Sequence, residues 1–192
     1  MNERIGVLSL EGTDHDPCRF LRQLGCEVIK VQQREDLIDI QGLIMTGTGN
    51  KENNLWQSGL GDRIKELARA DFPIFGLSAG MVLLSKESLS KVFPGQGNEK
   101  LGLMDLTVTK ESRAGRMEAY LSIPALGLTP LKAIFNDAPY IQEIAPNVGI
   151  LAEYNGKIVF VRQGNMLASA FHPETEDDRI YRYFLDIVNG QI

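Results

Sequence analysis

The chain has 192 residues, of which 43% are hydrophobic and 23% charged, and its net charge is −5 at pH 7. These values are typical of a globular protein and argue against disorder, and the length suits a single domain over residues 1–192. The acidic balance argues against nucleic acid as a partner, because proteins that bind the phosphate backbone usually carry a basic face.

The start of the chain, its apolar runs and its two cysteines give further expectations about location, redox state and metal binding. The apolar run at residues 5–10 is too short for a signal peptide, and no apolar stretch approaches the roughly 20 residues that span a bilayer. We therefore expect a cytoplasmic protein without a membrane contact. Cys18 and Cys26 fit neither a redox pair nor a zinc knuckle, so we expect two reduced and partly buried thiols. With two cysteines and two histidines scattered along the chain we expect no metal site, and because no cofactor motif is visible we expect no cofactor.

The first half of the chain alternates short apolar runs with segments of helical spacing. The apolar runs predict buried strands at residues 5–10, 26–31, 43–45 and 73–77. Helical spacing predicts helices at residues 14–24, which Gly25 would end, at 62–70 and at 79–84. This alternation predicts a parallel sheet with helices on both of its faces.

The second half reads as shorter strands, at residues 103–109, 118–123, 131–135 and 166–171, before a closing helix at 176–188. Asn155-Gly156 predicts a type I′ turn that joins residues 150–152 and 158–161 in a hairpin. Residues 93–98 are rich in Pro and Gly and predict a surface loop. The predicted fold class is thus α/β, with a mostly parallel central sheet and a small antiparallel hairpin region.

The segment Gly76-Leu77-Ser78-Ala79-Gly80 fits the pattern G-x-S-x-G and lies between a predicted strand and a predicted helix. In that context the pattern is typical of a nucleophile elbow, since the glycines allow a tight turn that lifts one side chain out at the end of the sheet. We therefore predict that residue 78 occupies the place of a nucleophile.

The segment Phe171-His172-Pro173-Glu174 follows the last predicted strand. His is the usual general base for a Ser or Cys nucleophile, and a carboxylate usually orients it. Loops at the carboxyl ends of parallel strands converge on one crevice, so His172 and Glu174 are expected near Ser78. A simple His-Pro turn with an exposed Glu is the alternative.

Together these motifs resemble those of the class I glutamine amidotransferases, which have a flavodoxin-like fold, and within that class the chain is most similar to the PdxT/SNO glutaminases. Residues 5–12 resemble the I-G-V-L-x-L-Q-G that opens those proteins, and residues 101–105, 161–165 and 171–174 also resemble their motifs. The resemblance implies glutamine hydrolysis that supplies ammonia to a pyridoxal phosphate synthase subunit. It implies catalytic roles for Ser78, His172 and Glu174, and places the substrate-binding groups at Gly47, Thr48, Gly49, Ala79, Glu111, Asn136 and Asp137.

The chain departs from the family where glutamine would be bound and attacked. The family has Cys where this chain has Ser78, and it has P-G-G-E-S where residues 46–50 read T-G-T-G-N. Glu111 and Asp137 stand where the family has Arg, and Glu11 stands where it has Gln. An acid in place of Arg would repel the carboxylate of glutamine. These changes predict little or no glutaminase activity.

Three interpretations follow, and they leave open whether the chain is an enzyme. In the first, it has kept the fold, has lost glutamine hydrolysis and still binds a synthase-type protein partner. In the second, Ser78, His172 and Glu174 form a triad that hydrolyses another amide, ester or peptide, with the acidic pocket favouring a neutral or cationic substrate. In the third, it is an active glutaminase, or one whose cysteine was exchanged for serine.

Overall fold

The computed structural model of the chain describes residues 2–9, 17–46, 55, 58–88, 100–109, 115–136, 139–173 and 177–192. The helices in these ranges are α1 (Pro17–Gln23), α2 (Leu60–Arg69), α3 (Ala79–Leu84) and α4 (Arg179–Val188), with 3-10 helices at Arg34–Leu37 and Pro124–Leu126. Within the described ranges, no helix has the length and apolar character needed to cross a membrane.

The strands of the described residues form a large and a small sheet. They are β1 (Arg4–Ser9), β2 (Glu27–Lys30), β3 (Gly42–Thr46), β4 (Ile74–Leu77), β5 (Ser85–Ser88), β6 (Met104–Thr109), β7 (Arg116–Leu121), β8 (Leu131–Asn136), β9 (Tyr140–Ile144), β10 (Gly149–Tyr154), β11 (Lys157–Gln163), β12 (Met166–Ser169) and β13 (His172–Pro173). The large sheet has the order β2-β1-β3-β4-β12-β11-β9-β6-β5, with β10 paired to β11. The small sheet has the order β13-β8-β7.

The part of the large sheet from β2 to β12 is parallel and is packed between helices. On one face, Phe184 of α4 lies 5.8 Å from the ring of Phe75 in β4, and Tyr181 of α4 stacks on Phe20 of α1. On the other face, Gly80 of α3 packs against Met45 of β3. The all-buried strands β3 and β4 explain the apolar runs in the sequence, since both of their faces are covered.

The remainder of the large sheet is mainly antiparallel and is built around the hairpin of β10 and β11. Asn155 and Gly156 have φ values of 49° and 74°, the left-handed pair that a type I′ turn requires, so the predicted turn is confirmed. Within the described residues the structure therefore confirms the α/β fold class, with a mostly parallel central sheet, helices and a small antiparallel sheet.

Three details of the sequence prediction were wrong or incomplete. The predicted strand at 166–171 divides after Ser169, because the chain bends there and leaves the large sheet for the small one. Strands β5 and β9 were missed, since neither Ser85–Ser88 nor Tyr140–Ile144 shows a buried apolar run. The closing helix begins at Arg179, three residues later than predicted. The predicted loop at 93–98 lies outside the described residues.

The two cysteines are free thiols, as predicted, and both are buried. Burial raises the pKa of the Cys26 thiol to about 11, and the nearby carboxylate of Glu3 adds to the effect. A thiol with so high a pKa is almost entirely protonated at neutral pH and is a poor nucleophile.

Candidate active site

Ser78 lies in the tight turn that joins β4 to α3, here called the Ser78 turn and defined as Gly76–Gly80. Its backbone has φ 53° and ψ −105°, which a residue with a side chain rarely adopts, and only 6% of its surface is exposed. Its carbonyl accepts a hydrogen bond of 3.3 Å from the N–H of Val82, in the first turn of α3. Conformations of this kind cost roughly 1–3 kcal/mol and persist only where the surroundings enforce them.

Backbone packing enforces the Ser78 turn. A Cβ on Gly80 would overlap the carbonyl oxygen of Met45 in β3, so α3 approaches the sheet as closely as a backbone can. A Cβ on Gly76 would lie 2.7 Å from the carbonyl carbon and oxygen of Gly80. Both glycines of the G-x-S-x-G pattern are therefore required by close approach of main chain to main chain, with no side chain in between.

His172 follows the strand that neighbours β4. Strand β12 pairs with β4 up to Ser169 opposite Leu77, and the N–H of Ser78 donates a hydrogen bond of 2.7 Å to the carbonyl of Ser169. His172 comes three residues later, pairs with Ile134 of β8 and is 5% exposed. The sheet thus brings Ser78 and His172 to the carboxyl ends of two adjacent parallel strands, as the sequence predicted.

Thr46 ends β3, on the other side of β4, and no separate role was predicted for it from the sequence. It is fully buried, and its hydroxyl has no hydrogen-bond partner in the part of the chain that the structure describes. It leads into the Gly-rich segment, whose predicted site residues Gly47, Thr48 and Gly49 lie outside the described residues. Ala79, another predicted site residue, is buried as the first residue of α3.

Asn136 is an exposed residue at the end of β8, on the same face of the small sheet as His172. Side chains two residues apart on a strand share a face, and His172 pairs with Ile134. The same face carries Glu118, which lies 3.1 Å from the ammonium of Lys132 and 3.2 Å from the guanidinium of Arg116. Hydrogen bonding from Lys132 is the main cause that lowers the pKa of Glu118.

The charged strip of Glu118, Lys132 and Arg116 was not predicted from the sequence, because it depends on how β7 pairs with β8. The alternation of polar and apolar residues in each strand does not set that pairing. Glu174, Glu111 and Asp137 lie outside the described residues, and so does Glu11. Their predicted roles, and the orientation of His172 by Glu174, therefore stay predictions. In the described ranges, no three His, Cys, Asp or Glu side chains are grouped as metal ligands would be.

A separate cleft of about 410 Å³ lies far from these residues. It is lined by Lys65 and Arg69 of α2, by the segment before β6 and by Met166. Met166 pairs with Ile74 at the amino-terminal end of β4, whereas Ser78 follows the carboxyl end of the same strand. The cleft and the Ser78 turn are therefore on opposite edges of the sheet.

The architecture is that of the glutamine amidotransferases. The fold matches a crystal structure of a glutamine amidotransferase with a TM-score of 0.86 and 30% identity, over 96% of this chain and 98% of that one. A chain in the structure of PurLQS from Thermotoga maritima has the same fold, with a TM-score of 0.72 and 16% identity over 97% of this chain and 99% of that one.

Sequence comparison narrows the class to a family. The profile of the SNO glutamine amidotransferase family matches residues 7–189, so the chain belongs to that family. It is 39% identical to the pyridoxal 5′-phosphate synthase subunit PdxT of Pelotomaculum thermopropionicum, over 95% of this chain and 94% of the relative. The protein of the same name in Carboxydothermus hydrogenoformans is 36% identical, over 96% of this chain and 97% of the relative.

Proposed function

We propose that this chain is a PdxT-like glutamine amidotransferase subunit that has lost most or all of its glutamine hydrolysis and retains the ability to bind a synthase-type partner. The observation that carries the proposal is that a serine, Ser78, stands in the turn between β4 and α3. The resemblance to the family implies a nucleophilic cysteine at this position. A thiol with a pKa near 8.5 is readily deprotonated, whereas a serine hydroxyl needs a well-placed base throughout the reaction.

The altered pocket strengthens this proposal beyond the nucleophile. The resemblance implies arginines in the family where this chain has Glu111 and Asp137. It also implies a second glycine and a glutamate where residues 46–50 read T-G-T-G-N. Losing one oxyanion donor costs roughly 10²–10³ in rate, and an acid that faces the carboxylate of glutamine repels it. Restoring the cysteine alone is therefore expected to leave the protein inactive.

The names of the relatives support the proposed partner. Both PdxT proteins are called subunits of pyridoxal 5′-phosphate synthase, and this chain aligns with nearly their whole length. In this chain the buried core of the parallel sheet and the close packing of α3 are intact. A protein that keeps such a scaffold can still present a binding surface after its chemistry is lost.

Ammonia release from L-glutamine tests the proposal. We expect none from the protein and none from Ser78→Cys, each measured alone and with the synthase partner of the relatives. Co-sedimentation or size-exclusion chromatography of the mixture measures partner binding independently. Ammonia release by Ser78→Cys would show that the nucleophile is the only defect, and release by the unaltered protein would refute the proposal.

The strained backbone of Ser78 favours one alternative, a serine hydrolase that acts on another amide, ester or peptide. Strain of this kind is typical of a residue held out for reaction, and a chain without a nucleophile gains nothing from it. A fluorophosphonate would then label Ser78, and the labelling would be lost in Ser78→Ala and strongly reduced in His172→Ala. The Ser85→Ala variant is the control, because Ser85 is buried at the other end of α3. Absence of labelling would exclude this alternative.

A further inference from the structure

Ser169 connects the Ser78 turn to the segment that carries His172. It is the last residue of β12, it is fully buried, and its carbonyl accepts the 2.7 Å hydrogen bond from the N–H of Ser78. Its side-chain hydroxyl forms hydrogen bonds with Phe171, two residues further along the chain. The hydroxyl donates to the carbonyl of Phe171 at 2.8 Å and accepts from the N–H of the same residue at 3.2 Å.

These two side-chain bonds shape the bend between the sheets. Ala170 still belongs to the large sheet through the hydrogen bond from its N–H to the carbonyl of Val159, at 2.8 Å. His172 already belongs to the small sheet, where it pairs with Ile134. Phe171 lies at the bend between them, and both its N–H and its carbonyl are hydrogen-bonded to the hydroxyl of Ser169. Ser and Thr side chains stabilise local bends in this way, by replacing the bonds of a regular strand.

Because these two hydrogen bonds are buried, they hold the backbone of Phe171 in one position. Ser169 and Phe171 have no exposed surface, so water does not compete for their polar groups. Each buried polar group that loses its hydrogen-bond partner lowers the stability of the fold by roughly 1–3 kcal/mol. If the backbone of Phe171 shifted to find new partners, the adjacent His172 would move with it. The position of His172 relative to residue 78 therefore depends on the Ser169 hydroxyl.

We propose that Ser169 is a positioning residue that sets the distance and direction of His172 relative to the side chain at position 78. The proposal depends on Ser78 and His172 forming one site, as in the serine-hydrolase alternative under the proposed function. It does not depend on whether glutamine is hydrolysed, nor on the nature of any substrate. Ser169 acts through backbone hydrogen bonds and takes no part in bond making itself.

A thiol introduced at position 78 reports this geometry directly. In Ser78→Cys, a nearby imidazole that is correctly placed lowers the thiol pKa, as in Cys-His pairs of hydrolytic enzymes. The rate of alkylation by iodoacetamide is measured against pH, with the modified peptide identified by mass spectrometry. The buried Cys18 and Cys26 give the background rate, which is low for Cys26 because its pKa is about 11. Adding His172→Ala establishes how much of the lowered pKa is due to the imidazole.

Adding Ser169→Ala to Ser78→Cys is expected to raise the thiol pKa and to slow alkylation at pH 7 by about tenfold, close to the effect of His172→Ala. Ser85→Ala is the matched control. Ser85 is also fully buried, and its hydroxyl also donates to a backbone carbonyl, that of Val82 at 2.7 Å. The control is expected to destabilise the fold to a similar extent and to leave the thiol pKa unchanged.

A second pair of variants separates the hydroxyl from the shape of the side chain. Ser169→Thr and Ser169→Val have nearly the same volume, and only the first retains the hydroxyl. We expect a lowered pKa with Thr and a raised pKa with Val, each compared after circular dichroism has verified folding. An unchanged pKa in Ser169→Ala or Ser169→Val, an equal shift in Ser85→Ala, or no effect of His172→Ala would overturn the proposal. Ammonia release by the unaltered protein would refute the proposed loss of activity and leave this inference intact.

Discussion

Ser78 and His172 lie at the ends of neighbouring strands, but different kinds of structure hold them. The Ser78 turn is enforced by main chain packed on main chain, where Gly80 leaves no space between α3 and β3. His172 is held by a hydroxyl that bonds both backbone groups of Phe171 and by pairing with the small sheet. The position of Ser78 is therefore fixed by steric exclusion, which a single added methyl group would abolish. The position of His172 is fixed by a few hydrogen bonds, which single substitutions can adjust.

The largest expected effect is that of Gly80→Ala. The added methyl would overlap the carbonyl oxygen of Met45, and neither backbone can move without displacing α3 from the sheet. We expect a loss of more than about 4 kcal/mol in the free energy of unfolding, or failure to fold. Urea denaturation measures it, with Gly115→Ala as the control, since a Cβ on Gly115 would meet nothing within 4 Å. Equal stability of the two variants would contradict steric enforcement of the turn.

Phe171→Ala is expected to have the next largest effect. Phe171 is fully buried, and its ring centroid lies 5.6 Å from that of Phe135 and 6.0 Å from that of Phe160. Removing the ring should cost about 3–5 kcal/mol and leave a protein that still folds. Thermal unfolding measures the cost, and Phe171→Leu should recover more than half of it. A cost below about 1 kcal/mol would mean that the bend at Phe171 is not part of the core.

Asp105→Asn is expected to lower the stability of the fold less than Phe171→Ala does, and only above acidic pH. Asp105 accepts hydrogen bonds from Asn147 at 2.8 Å and Gln163 at 2.7 Å and pairs with Lys86, joining β5, β6 and β11 in the antiparallel half. Hydrogen bonding from Asn147, followed by that from Lys86, lowers its pKa below the ordinary 3.8. We expect a loss of about 1–2 kcal/mol at pH 7.

The pH dependence of that loss follows from the direction of the pKa shift. A carboxylate with a lowered pKa in the folded state stabilises the protein above pH ~4 and loses this contribution as the pH falls through its folded pKa. Urea denaturation of the protein and of Asp105→Asn should therefore differ at pH 7 and converge towards pH 3. A difference that stays constant down to pH 3 would assign the effect to shape and not to charge.

The smallest expected effect is a difference in stability between two variants at position 78. Ser78→Gly and Ser78→Ala both remove the hydroxyl, but only glycine adopts φ 53° and ψ −105° without strain. We expect Ser78→Gly to be more stable than Ser78→Ala by about 1 kcal/mol, although glycine elsewhere lowers stability by a similar amount. Chemical denaturation of the two variants measures the difference. An Ala variant that is the more stable of the two would show that the turn is not strained.

The parallel half of the fold could be read from the sequence, because each strand there is a continuous apolar run and each helix has regular spacing. Ser78 and His172 were found for the same reason, since both follow such strands. The bend at Ser169 could not be read, because an apolar run from Met166 to Phe171 does not reveal that a serine hydroxyl bonds the chain out of the sheet. The strip of Glu118, Lys132 and Arg116 depends on strand register, which these short strands do not encode locally.

Isothermal titration of the unaltered protein with L-glutamine decides whether the chain has lost its glutamine site, because Ser78 allows binding to be measured without turnover. The positive control is the pyridoxal 5′-phosphate synthase subunit PdxT of Pelotomaculum thermopropionicum, titrated under the same conditions. We expect binding by the control and none by this chain at millimolar glutamine, because the proposed function sets the acidic side chains of Glu111 and Asp137 against the ligand carboxylate. Binding as tight as that of the control would contradict the proposed loss of the glutamine site.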